Sequence, residues 1–228
     1  MRWIVSASAG LVAALFSTLN AKAESPWYLE GSLGGYFRDS KSGSETFHRN
    51  SIPSVNVSGV ATLKFHPGLI TNIGVGYRFT SHFRLEAEAS YFAYTGDTLS
   101  PFTSIAGFPA LNGQTFAHQS GDRWSRYAGT VNAFYDFAAI AGRFTPYVGG
   151  GVGASADRRT NGLYRSATGQ TFTTTGGTST EGLGLVEGGV SIALSPHWSV
   201  VPAYRYVRFF AGGEDVAQVA KLGLRYSF

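Results

Sequence analysis

Two short groups of residues combine the side chains that acyl-transfer chemistry uses: a histidine, a hydroxyl group and a carboxylate. His118, Ser120 and Asp122 alternate along one segment, and His197 precedes Ser199 by two positions. A hydroxyl nucleophile needs a base within hydrogen-bond reach and a third group that orients the base. Both groups fall in connections between predicted strands, where support for a preorganised site is poor. We therefore predict that this chain has no catalytic residues.

Two further patterns could bind a ligand, but their context does not fit one. The run GGGVG at 149–153 lacks the strand-to-helix context of a phosphate-binding loop. Glycines that let strands bend explain it better. The histidines show no metal-ligand spacing, and the chain contains no cysteine; the five are His48, His66, His82, His118 and His197. The sequence predicts neither a metal nor an organic cofactor.

The dominant pattern is an alternation of apolar and polar residues with a period of two. In FRLEAEASY at 83–91, Phe83 and Leu85 share one parity, whereas Arg84, Glu86 and Glu88 share the other. A transmembrane barrel strand turns every second residue to lipid over ~10 residues, and a closed barrel leaves no sheet edge unpaired in lipid. Eight segments follow this pattern: 27–38, 69–79, 83–94, 124–137, 144–155, 182–194, 198–207 and 217–228. The sequence predicts an all-β fold, an eight-stranded antiparallel up-and-down transmembrane β-barrel.

The N-terminal residues have the features of a cleavable signal peptide. A positive start at Arg2 precedes a mostly apolar run, and Ala21-Lys22-Ala23 fits the small-x-small cleavage pattern. We predict a signal peptide at 1–23 and a single barrel domain at 24–228. Removing Arg2 and Lys22 takes Lys+Arg from 18 to 16 against 14 Asp+Glu. That balance gives no reason to expect nucleic acid as a partner.

The connections between the predicted strands alternate between short and long. Those at 80–82, 138–143 and 195–197 are turn-like, whereas those at 39–67, 95–123 and 156–181 are long and rich in small polar residues. Short turns face the periplasm and long loops face the outside in outer-membrane barrels. With eight strands, we expect both mature termini on the periplasmic side of the cell outer membrane.

The inward parity of these strands carries six basic and five acidic residues. An eight-stranded barrel is just wide enough for side chains to fill it, and unpaired charges there would be costly. We predict a charge network in the lumen made by Glu30, Arg78, Arg84, Glu86, Glu88, Arg126, Asp136, Glu187, Arg205, Lys221 and Arg225. The alternative interpretation of the same residues is an ion path.

Several strand segments resemble the outer-membrane β-barrel domain family, which includes the transmembrane domain of OmpA and small immunogenic surface proteins of Gram-negative bacteria. The segments are GVGYRF at 74–79, FRLEAEASY at 83–91, FTPYVGGGVGA at 144–154, PAYRY at 202–206 and LGLRYSF at 222–228. The resemblance implies an eight-stranded barrel delivered by the general secretion route. It also implies that the barrel-assembly machinery reads the last strand, through Leu222, Leu224, Tyr226 and Phe228.

The most favoured function is that of a non-catalytic outer-membrane protein that displays its extracellular loops for envelope structure, surface interaction or adhesion. Salt bridges would plug its lumen. Arg158 and Arg159 near the outer rim are candidate contacts for lipopolysaccharide phosphates. The first alternative is a narrow porin-like channel for ions or small solutes, and the second is a barrel enzyme that modifies lipid A. The expected partners are outer-membrane lipid and lipopolysaccharide, the assembly machinery and a surface ligand of the loops.

Overall fold

The computed structural model describes residues 25–49, 55–103, 113–210 and 215–228, and the predicted signal peptide at 1–23 lies outside them. In these four stretches, no helix is long and apolar enough to cross a membrane. The described residues form strands β1 Trp27–Arg38, β2 Lys41–Arg49, β3 Val55–Phe65, β4 Gly68–Arg78, β5 Phe83–Thr103, β6 Phe116–Gly121, β7 Arg123–Asp136, β8 Phe144–Arg159, β9 Gly162–Ser166, β10 Thr171–Thr174, β11 Gly177–Ala193, β12 Trp198–Phe209 and β13 Asp215–Ser227.

Eight of these strands close into the predicted barrel. β1, β4, β5, β7, β8, β11, β12 and β13 each pair antiparallel with the next, and β13 pairs with β1. They lie on the eight predicted segments, although β5, β8 and β11 run several residues further. A path that starts at Tyr28 and steps from each residue to its register partner on the next strand passes round the whole wall and returns to β1 at Arg38. The register therefore shifts by ten residues in one circuit of the barrel. Such a stagger is what tilts the strands of a closed barrel.

The remaining strands form a second closed ring above one end of the barrel, which the sequence did not predict. β2 pairs with β3 and β10, β9 pairs with β10 and β6, and β6 and β3 both pair with the upper part of β5. We call this six-stranded ring the outer cylinder. The end of the barrel that carries it is the loop end, and the opposite end, with the connections 79–82, 137–143 and 194–197, is the turn end.

The outer wall of the barrel is apolar around its middle because most residues of the outward parity are apolar there. Exposed side chains around its middle include Leu33, Ile73, Val131, Val152, Val186 and Leu222. Aromatic residues flank this zone, with Trp27, Phe79, Phe83, Phe137, Phe144 and Trp198 at the turn end and Phe37, Tyr91, Tyr127, Tyr206 and Phe210 towards the loop end. An apolar band between two aromatic girdles is the surface of a membrane barrel.

Candidate functional site

The lumen nearest the turn end holds a cluster of ion pairs, the lower charge cluster, centred on Arg205. The Arg205 guanidinium binds both carboxylate oxygens of Glu88, at 2.5 and 2.8 Å, and donates from Nε to Glu187 at 2.6 Å. Lys221 Nζ lies 3.0 Å from Glu187 and 3.5 Å from Glu88. Glu30 accepts from Arg225 Nε at 2.9 Å. These six side chains come from five strands and are all at least nine-tenths buried.

A second part of the lower charge cluster lies beside the turn end, around Tyr28. Arg84 donates to Asp136 at 3.1 Å and to the Tyr28 hydroxyl at 2.8 Å, and it lies 3.6 Å from Glu86. Arg78 is only half-buried and donates to the Ser227 hydroxyl at 3.1 Å. Within the part of the chain that the structure describes, no carboxylate forms an ion pair with Arg78. Of the eleven predicted lumen charges, the other ten all lie in ion pairs.

An apolar layer lies above the lower charge cluster. Along β12 and β13 it begins directly after the charged residues, because Val207 follows Arg205 at the next inward position and Val219 precedes Lys221. Its members are buried on the lumen side: Tyr36, Ile70, Phe92, Ala128, Leu183, Leu185, Val207, Ala217 and Val219. The layer therefore lies between the charges below it and those above it.

The upper charge cluster lies above the apolar layer. Arg126 donates to Asp157 at 2.5 Å and to Glu181 at 2.7 Å, and Arg38 donates to Asp215 at 2.6 Å. Of these five residues, only Arg126 belongs to the charge network predicted from the sequence. The other four continue the inward parity of their strands beyond the predicted segments or at their edge: Arg38 follows Glu30, Asp157 follows Tyr147, Glu181 precedes Glu187 and Asp215 precedes Lys221. Extending the alternation by one or two positions would have found them.

The outer cylinder has an apolar core of its own. It contains Ala61, Leu63, Leu99, Phe116, Tyr164 and Phe172, and the Phe116 and Phe172 rings pack edge to face with centroids 4.8 Å apart. Phe65 and Trp124 pack against both this core and the apolar layer of the barrel. The filling of the lumen therefore continues into the cylinder above it.

Asp122 ties the outer cylinder to the barrel. It is fully buried, with a positive φ of 43°, and its carboxylate accepts from Arg159 at 2.5 Å and from the Tyr164 hydroxyl. Burial raises the pKa of Tyr164, and the neighbouring Asp122 carboxylate raises it further, so the phenol remains a donor. The Arg159 guanidinium also covers the Trp124 ring, 4.7 Å from its centroid.

The histidine groups are engaged in other contacts. Asp122 binds Arg159 and Tyr164, whereas His118 Nε2 lies 3.0 Å from the Gly121 carbonyl oxygen. His197 Nδ1 lies 2.9 Å from the Ser227 carbonyl oxygen. In the four described stretches, no group of three or more metal-ligating side chains is placed to hold an ion.

The two arginines predicted to contact lipopolysaccharide point to opposite sides of β8. Arg158 is exposed on the outer face, next to the exposed Arg123 of β7. The placement of Arg159 on the same surface was wrong, since Arg159 follows the inward parity and binds Asp122. At the other end of the chain, Leu222 and Leu224 are exposed on the lipid side of β13, and Tyr226 packs against Trp198 and Phe228.

Some buried polar atoms on the lumen side of β7 and β8 have no hydrogen-bond partner within the described residues. They include Thr130 Oγ1, both side-chain polar atoms of Asn132, and Ser155 Oγ. Gly151 and Gly153 face these side chains, and a Cβ at either glycine would overlap Asn132 or Thr130. The side chains of β7 therefore lie flat across β8.

Comparisons with known proteins agree with this geometry. The family model of the outer membrane protein beta-barrel domain matches residues 7–228. Two uncharacterized proteins of Brucella suis and Brucella melitensis are 26% identical over 152 residues, which cover 62% of this chain and 52% of each relative. The chain thus spans about half the length of these curated relatives.

Two solved structures share the fold. Neisserial surface protein A matches with a TM-score of 0.51 and 16% identity, over 90% of this chain and 98% of that one. The outer membrane protein OprG from Pseudomonas aeruginosa matches with a TM-score of 0.53 and 12% identity, over 90% and 97%. At these identities the likeness concerns the fold alone. This chain belongs to the outer membrane protein beta-barrel domain family, and its apolar outer wall is the surface that meets the lipid of the outer membrane.

Proposed function

We propose that this protein is a non-catalytic outer-membrane barrel with a plugged lumen, and that its outer cylinder presents a rigid surface to the outside of the cell. The single observation that carries the proposal is the order of the layers within the lumen. A lower charge cluster, an apolar layer, an upper charge cluster and a second apolar core follow one another along the barrel axis. Apart from Arg78, every charged side chain of the two clusters lies in an ion pair within the lumen.

The topology that goes with this proposal has both mature termini and the turn end in the periplasm. Residues 1–23 are removed as a signal peptide, and the assembly machinery reads Leu222, Leu224, Tyr226 and Phe228. The support is chemical: Leu222 and Leu224 alternate on the lipid side of the strand that closes the barrel against β1. The three long connections carry all the strands of the outer cylinder apart from β5, which fits the long extracellular loops of such barrels.

The experiment that tests the plug is single-channel conductance of the refolded protein in a planar bilayer, across a range of salt and voltage. We expect no steady current, because ions would have to cross the apolar layer. Steady, salt-dependent current through the unmodified protein would contradict the plugged lumen.

A narrow channel is the second candidate, and one observation favours it. The buried polar atoms of Thr130, Asn132 and Ser155 lie along a single wall, and buried polar groups usually find a partner, often water. Water along this wall would provide a path for small ions. The conductance measurement separates the two candidates, and Asn132→Leu would abolish the current if this wall conducts.

Lipopolysaccharide is the proposed partner of the outer surface, through Arg158. Arg123 and Arg158 lie diagonally on neighbouring strands, a spacing of ~7–8 Å that suits two phosphate oxygens. We expect the Arg123→Gln/Arg158→Gln double variant to bind lipopolysaccharide more weakly at low salt. Lys64→Gln, an exposed charge on the outer cylinder, is the control. Equal binding by the double variant and the unmodified protein would rule out this pair as the contact.

A further inference from the structure

The outer wall formed by β11, β12, β13 and β1 contains a shallow groove in the lipid-facing zone. Its volume is about 570 Å³. Outward positions on this wall carry small or compact side chains between bulkier ones, and the lining includes Leu33, Gly188, Val190, Pro202, Ala220 and Leu222. A second depression of about 440 Å³ shares Leu33 and Leu222 and continues towards the turn end along Gly31 and Leu224.

Arg208 lies on the same wall, above this groove and at the loop end of β12. Its neighbours across the hydrogen bonds are Gly184 on β11 and Val216 on β13, and the row continues from Gly184 to Val152, an exposed apolar residue. Arg158, in contrast, lies opposite Ser125 and Thr178. A lipid-facing arginine is tolerated only close to the membrane interface. Arg208 therefore marks the headgroup level at the loop end.

The side chains around Arg208 are arranged to receive a polar headgroup. Gln218 is a diagonal neighbour of Arg208 on β13, and its Oε1 accepts a hydrogen bond of 2.6 Å from the Tyr204 hydroxyl. The NH₂ group of Gln218 is the part of that amide that can donate to a headgroup oxygen. No carboxylate among the described residues forms an ion pair with Arg208. Its charge is thus available to a phosphate.

Pro202 lies six residues before Arg208 on β12, a separation of about 20 Å at ~3.3 Å per residue. The outward side of this segment belongs to the apolar wall. We propose that this wall binds one phosphate-bearing membrane lipid, with the phosphate on Arg208 and Gln218 and an acyl chain in the groove below. The occupant is a lipid because the groove opens into the hydrocarbon zone and because a cation lies above it at the interface. The inference rests on the proposed topology only for assigning the lipid to the outer leaflet.

The test is native mass spectrometry of the folded, detergent-solubilised protein with phosphatidylglycerol or phosphatidylcholine of equal chain length. We expect one phosphatidylglycerol to be retained preferentially, and Arg208→Gln to reduce its retained fraction at least fivefold. Ala220→Trp, which fills the groove but keeps the arginine, should reduce retention of both lipids. Lys64→Gln, which removes an exposed charge on the outer cylinder, and Val131→Trp, on another part of the wall, are the controls and should change nothing. Every variant is first shown to keep the denaturant midpoint of the unmodified protein.

Equal retention of phosphatidylglycerol by Arg208→Gln and the unmodified protein would overturn the headgroup assignment, and unchanged retention by Ala220→Trp would overturn the groove. A second copy of the chain is the competing occupant. Since the chain has no natural cysteine, Ala220→Cys provides a unique crosslinking position, and efficient disulfide dimers in a bilayer would overturn the lipid proposal. None of these outcomes bears on conductance, so the plug is tested separately.

Discussion

Arg205 is the residue on which the lower charge cluster depends most directly. Its guanidinium is 1% exposed and bridges Glu88 from β5 and Glu187 from β11. Lys221 approaches the same two carboxylates, but a single ammonium cannot replace the planar, bidentate contact to Glu88. The cluster thus joins the neighbouring strands β11 and β12 to β5 on the other side of the lumen.

We predict that Arg205→Ala destabilises the barrel by about 3–5 kcal/mol, because it leaves buried carboxylates without their main partner. The measurement is the denaturant midpoint of the protein folded in detergent. Arg208→Ala is the control, since it removes the same side chain three residues along β12 on the opposite face. A midpoint for Arg205→Ala that matches the control would contradict the network as a source of stability.

Tyr164 has the corresponding role in the outer cylinder, because it supplies one of the two donors to the buried Asp122 carboxylate. We predict that Tyr164→Phe costs the cylinder about 1–3 kcal/mol by leaving that acceptor short of a partner. The expected result is faster amide hydrogen exchange in β9 and β10, with exchange in β12 unchanged.

The pH dependence of this contact follows from the raised pKa of Tyr164. A pKa that is higher in the folded state than in the unfolded chain stabilises the fold fully below the unfolded value of ~10. That stability is lost only as pH rises through the folded-state value. Exchange in β9 of the unmodified protein, corrected for its intrinsic pH dependence, should therefore show equal protection at pH 7 and pH 9. A loss of protection between those values would contradict the assignment of Tyr164 as donor.

At the scale of the strand, glycine determines how β7 and β8 pack. A Cβ at Gly151 would lie against Asn132 and only 2.8 Å from the Val131 carbonyl oxygen. The backbone oxygen cannot move aside without disturbing the sheet. Gly129 lies on the outward side of β7, where an added Cβ would have no heavy atom within 4 Å.

We predict that Gly151→Ala lowers the free energy of unfolding by about 1–3 kcal/mol through overpacking. Gly129→Ala should be neutral or stabilising by about 0.5–1 kcal/mol, because alanine loses less conformational freedom in a strand. Both are read from denaturant midpoints in the same detergent. Two variants of equal stability would show that the flat packing of Asn132 across β8 is not required.

The barrel strands could be predicted from the sequence because burial against lipid imposes one parity over a long segment. β12 is a clear case, with Tyr204 and Tyr206 outside and Arg205 inside. The outer cylinder could not be predicted in this way. β9 and β10 span five and four residues, too few to show a period, and their buried residues face a local core instead of a membrane. Asp157 and Asp215 were missed for a related reason, since the apolar outward parity ends beside them, at Arg158 and Glu214.

At the scale of the whole molecule, two packed tiers share continuous strands. β5 runs 21 residues from the turn end into the outer cylinder, and Phe65 and Trp124 contact the apolar cores of both tiers. The tiers differ in what supports them. Eight strands, lipid and two charge clusters hold the barrel, whereas the cylinder depends on a small apolar core and on the Asp122 contacts.

The outer cylinder should therefore be able to unfold while the barrel stays folded. We predict that Phe116→Ala, which removes a fully buried ring from the cylinder core, costs that tier about 3–5 kcal/mol. In proteoliposomes, added protease should then cleave the loops of the variant but not those of the unmodified protein, while the barrel fragment stays folded. Val131→Ala, on the lipid side of β7, is the control and should leave the loops protected. The protease cleaves in the outer cylinder, on the loop side of the apolar layer and both charge clusters. The cleaved barrel should therefore pass no steady current in a planar bilayer. Steady current after cleavage would mean that the outer cylinder, and not the filling of the barrel, closes the lumen.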